Sequence, residues 1–83
     1  MKRTSKAPWA EIYSPNGAGE STLYTTVIEP TYQKLLTSIR KELKEDSSCT
    51  AYVVRTKRGE WGQWFEKWRT CGRKIEKYEE GWL

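Results

Sequence analysis

Arg55, Lys57, Arg58, Lys67, Arg69, Arg73, Lys74 and Lys77 are interleaved with Trp61, Trp64, Phe65 and Trp68 in the last third of the chain. Cations that meet phosphates beside rings that stack on bases are the chemistry that holds single-stranded nucleic acid. Lys2, Arg3 and Lys6 add positive charge to an N-terminal arm. The candidate nucleic-acid-binding set is therefore Lys2, Arg3, Lys6, Arg55, Lys57, Arg58, Lys67, Arg69, Arg73 and Lys74. Residues 55–74 carry seven positive charges against two negative, whereas residues 8–29 carry three negative ones. The net charge of +4 favours a nucleic acid or an acidic protein as partner. Aromatic and Arg side chains also fill the centres of protein interfaces. The competing expectation is thus a protein–protein interaction module, either an inhibitor or a small accessory subunit. Rings at helical spacing also serve as ordinary core.

Catalysis has little to work with. There is no histidine, so the commonest general base and metal ligand is missing. Cys49 and Cys71 lie 22 positions apart and form no zinc pattern, and the carboxylates show no calcium-loop spacing. Gly17-Ala18-Gly19-Glu20-Ser21-Thr22 lacks the lysine of a phosphate-binding loop and runs into a β-forming segment instead of a helix. The expectation is a non-catalytic binding protein with no metal and no cofactor.

The elements that must position these residues follow from periodicity. Residues 1–8 are polar and basic and read as a flexible arm ahead of one α+β domain over 9–83. Trp9–Ser14 and Thr22–Ile28 flank an Asn-Gly turn signal and predict a hairpin. Pro30 suits a helix start, and Tyr32, Leu35, Leu36, Ile39 and Leu43 predict a helix over about 30–45. Residues 49–56, centred on Tyr52-Val53-Val54, predict a third strand.

From 60 to 82 two readings compete. Trp61, Trp64, Trp68, Cys71, Ile75, Tyr78 and Trp82 alternate spacings of three and four, which favours a second helix and places Cys71 in the core. On that helix Arg69, Arg73 and Lys77 form a ridge at i, i+4, i+8. The alternative is a hairpin turning at Cys71-Gly72, pairing Trp61 with Trp82, Phe65 with Tyr78, Lys67 with Glu76 and Trp68 with Ile75. Gly72 weighs against the helix, since an interior glycine costs about 1 kcal/mol relative to Ala. The favoured architecture is a three-stranded antiparallel sheet with two helices, in the order ββαβα.

Eighty-three residues allow one modest core, and five Trp and five Tyr make it aromatic-rich. Two cysteines are too few for a disulfide scaffold, which favours a reduced, cytoplasmic setting. No apolar run approaches the roughly 20 residues of a membrane span. On the first helix, Lys34, Arg40, Lys41 and Lys44 are offset by Glu42, Glu45 and Asp46, so its surface reads as nearly neutral and solvent-facing.

Overall fold

The computed structural model describes residues 7–15, 20–56 and 62–83. It contains strand β1 (Trp9–Pro15), strand β2 (Ser21–Ile28), helix α1 (Tyr32–Glu45), strand β3 (Thr50–Arg55), strand β4 (Trp64–Cys71) and strand β5 (Lys74–Trp82). The five strands form a single antiparallel sheet in the order β2-β1-β3-β4-β5. This corrects the ββαβα expectation, because the described residues carry five strands and one helix where three strands and two helices were expected.

The difference lies wholly in 64–82, where the hairpin prevails. Cys71 pairs with Lys74 across a two-residue loop, Gly72-Arg73. Gly72 adopts φ +65° while no described residue other than glycine has a positive φ. A glycine in that conformation at the first loop position is what a type II′ hairpin turn demands. The turn sits one residue later than the sequence suggested, and the register shifts with it: Trp64 opposes Trp82, Phe65 opposes Gly81 and Lys67 opposes Glu79. A bulge between Lys67 and Trp68 then sets Trp68 opposite Lys77. Cys71, expected in the core, is exposed beside the turn, and Cys49 is buried; both are free thiols. Burial raises the Cys49 thiol pKa, as does nearby Asp46.

Helix α1 covers one face of the sheet. Thr31 caps it by accepting a hydrogen bond from the Lys34 amide, so Pro30 lies just ahead of the cap instead of inside the first turn. Leu35, Ile39 and Leu43 recur every fourth residue and are fully buried on Ala10, Ile12, Cys49, Ala51 and Val53. Val27, Tyr32, Leu36, Trp68 and Ile75 pack around this cluster. Among the described residues the other face has no helix. There Val54 is buried between its cross-strand neighbours Trp9 and Phe65, and Phe65 lies over Gly81, close enough that a Cβ there would meet its ring at 3.2 Å.

A basic cleft between the helix and the last hairpin

Beyond Lys74 at the start of β5, the described cations of the sheet are neutralised within it. Glu66, on the helix-covered face of β4, is fully buried. An isolated buried carboxylate would cost several kcal/mol, and here both oxygens are occupied. Oε1 accepts from the Tyr32 hydroxyl and from Trp68 Nε1 at 3.2 Å. Oε2 accepts from Arg55 Nε at 3.2 Å and lies 3.7 Å from Lys77 Nζ. The Arg55 guanidinium stacks 3.9 Å from the centre of the Tyr32 ring, and Lys77 also bonds Glu80 at 2.9 Å. Burial, then the hydrogen bond to Glu66, raises the Tyr32 phenol well above its ordinary range, so it is a neutral donor. The cluster ties the first turn of α1 to β3, β4 and β5.

The uncovered face repeats the pattern with solvent-exposed pairs. Lys67 bonds Glu79 at 3.4 Å, and Arg69 bonds Glu76 at 3.4 Å. Arg69 also lies 4.9 Å from the centre of the Tyr78 ring, and Tyr52 and Phe65 stack on each other with centroids 5.7 Å apart. A hollow on this face is lined by Glu11, Tyr13, Tyr52, Lys67 and Tyr78. It contains a carboxylate, which Tyr13 contacts at 2.8 Å. Among the described residues such a surface offers rings already engaged with neighbours and no surplus positive charge.

The opposite arrangement lies between the C-terminal half of α1 and the β4–β5 turn. Arg40, Lys44, Arg73 and Lys74 ring a cleft of about 280 Å³. Leu43, Ser47, Thr70, Gly72 and Ile75 complete its walls, and among the described residues no carboxylate lines it. Among the described residues these four cations enter no ion pair, in contrast to Arg55, Lys67, Arg69 and Lys77. The two walls are joined where Thr70 Oγ1 donates to the Leu43 carbonyl at 3.3 Å, and the tight Gly72-Arg73 turn fixes the hairpin tip.

Helix geometry explains why the cleft is free of acid. At about 100° per residue, Arg40 and Lys44 lie one turn apart on one flank of α1, while Glu42 and Glu45 fall on the other. The acidic flank, with Asp46, borders a separate hollow beside Ile12, Ser14 and Tyr24. A surface that is nearly neutral in sum is therefore split into a basic and an acidic side.

Of the sequence-derived candidates, Arg73 and Lys74 line the cleft, and Arg55, Lys67 and Arg69 are engaged in ion pairs on the sheet. Lys2, Arg3, Lys6, Lys57 and Arg58 lie outside the described residues, as does Trp61. The ridge of Arg69, Arg73 and Lys77 is not formed: Arg69 is on the uncovered face, Arg73 is in the turn and Lys77 faces Glu66. Arg40 and Lys44 were missed, and their i, i+4 spacing was the available signal. Among the described residues no group of His, Cys, Asp and Glu could hold a metal ion, and no helix is long and apolar enough to cross a membrane. Neither a family model, nor a curated protein, nor a solved structure matches the chain.

Proposed function

We propose that this protein binds nucleic acid by its phosphates, with Arg40, Lys44, Arg73 and Lys74 as the contacting residues. The observation that carries the reading is the set of four cations around one cleft with no carboxylate among its described lining residues, in a chain where Arg55, Lys67, Arg69 and Lys77 are paired within the sheet. Unpaired like charges held together repel one another, and an arriving anion relieves that cost. Phosphate oxygens suit this mixture of two guanidinium forks and two point-like ammonium groups. The rest of the cleft is too plain to read bases: among the described residues Ser47 and Thr70 are its only polar neutral side chains. Contacts of this kind set affinity and position without selecting sequence.

The test replaces all four cations with Gln and measures fluorescence anisotropy on labelled single-stranded and duplex oligonucleotides at low salt. The reading expects the variant to lose at least 10-fold in affinity while keeping the wild-type circular dichroism and melting temperature. Unchanged affinity removes the cleft from the function. Wild-type protein that binds no oligonucleotide but retains polyglutamate would transfer the cleft to an acidic protein partner.

A further inference from the structure

The two edges of the sheet differ in kind. β5 carries Lys74, Glu76, Lys77, Glu79 and Glu80 along its length, and charges on an edge discourage a further strand. β2, with the sequence STLYTTVI, carries no charge and no proline. Among the described residues nothing pairs with β2 beyond β1. Leu23, Tyr24 and Ile28 are 49, 65 and 68% exposed. One bulge interrupts the strand where Tyr24 is skipped in the pairing, and Thr25–Ile28 remain in regular register with Trp9–Ile12. A regular, uncharged, β-branched edge is a template for strand addition.

We infer that β2 is an interaction edge, and that its occupant is β2 of a second copy of this chain, added antiparallel so that two five-stranded sheets become one. A two-fold axis normal to the sheet relates the copies, so each residue meets one on the same face of the pleat and both helices lie on the same side. With the axis through Thr26, Thr26 faces itself and Thr25 faces Val27 of the second copy. Paired threonines and β-branched neighbours are favourable across strands. A two-fold axis sets equivalent groups near one another, so a charged edge brings like charges together; β2 has none to bring. The copies also avoid each other's basic clefts. These border β5, at the far edges of the joined sheet and about 43 Å apart at roughly 4.8 Å per strand spacing. That is several Debye lengths at physiological salt.

Sedimentation velocity tests this on the full chain, free of nucleic acid, from micromolar to near-millimolar concentration. The wild type is expected to become a dimer as concentration rises. Thr26→Lys should remain monomeric with unchanged circular dichroism, and Glu79→Lys, on the other edge, should associate like the wild type. Should Thr26→Lys fold poorly, Ile28→Lys, at a position 68% exposed, is expected to give the same monomer. A wild type that stays monomeric throughout, or a dimer that survives a folded lysine variant of β2, overturns the inference.

Discussion

Glu66 and the basic cleft gather cations in opposite ways. Around Glu66, Arg55 and Lys77 converge on a carboxylate that has left water, and the result is a joint that fastens the helix to three strands. Around the cleft, Arg40, Lys44, Arg73 and Lys74 converge on open space. Both regions gather basic side chains, and what separates them is whether a neighbouring strand supplies an acid. Positive charge in this chain is structural where a strand register places Glu beside it, and it is free for a ligand where two elements meet with their acids turned elsewhere.

The contrast is broken most severely by removing the acid. Glu66→Ala leaves Arg55, Lys77, Tyr32 and Trp68 without their common acceptor, and disrupting a buried pair costs about 3–5 kcal/mol. Much of the stability of so short a chain would be consumed. Urea denaturation should show that loss, whereas Arg40→Gln and Lys44→Gln should each stay within about 0.5 kcal/mol of wild type. Equal effects at the two sites would erase the distinction.

A smaller effect sharpens it. Tyr32 has its phenol pKa raised from the model-peptide value of 10.0, first by burial and then by the bond to Glu66. The folded state thus favours the neutral phenol. That contribution is fully present below the unfolded pKa, and it is lost as pH climbs above about 10, where the unfolded chain has released a proton that the folded chain retains. Tyr32→Phe should cost about 1 kcal/mol at pH 7, and its gap from wild type should narrow between pH 10 and about 11. A gap that widens with pH would contradict the neutral-donor role.

Much of the first 56 residues was legible because each segment has one dominant period. Thr22–Ile28 and Tyr52–Val54 are β-branched and aromatic, and Leu35, Ile39 and Leu43 keep strict helical spacing. The last segment carries two periods at once. Trp64 and Trp68, four apart, share a face in a helix and in a strand alike, so they decide nothing. A single residue, Gly72, decides, because its positive φ makes the turn. Once β4 and β5 pair, the mixing of rings and charges on both faces of this hairpin becomes intelligible: Glu66 is buried but saturated, and Lys67 and Arg69 find Glu79 and Glu76 across the ladder. The cleft was not legible. Its halves are some thirty residues apart in sequence, and the near-neutral sum of the helix charges conceals their division into two flanks.

The central claim is tested most directly by the salt dependence of single-strand binding in two double variants. Each cation on a phosphate contributes about 0.7 to the slope of log affinity against log salt on single strands. Arg73→Gln with Lys74→Gln should therefore lower that slope by about 1.4, while Lys67→Gln with Arg69→Gln, drawn from pairs already satisfied on the sheet, should leave it nearly unchanged. The opposite ranking, with the sheet pair lowering the slope and the cleft pair silent, would contradict the account.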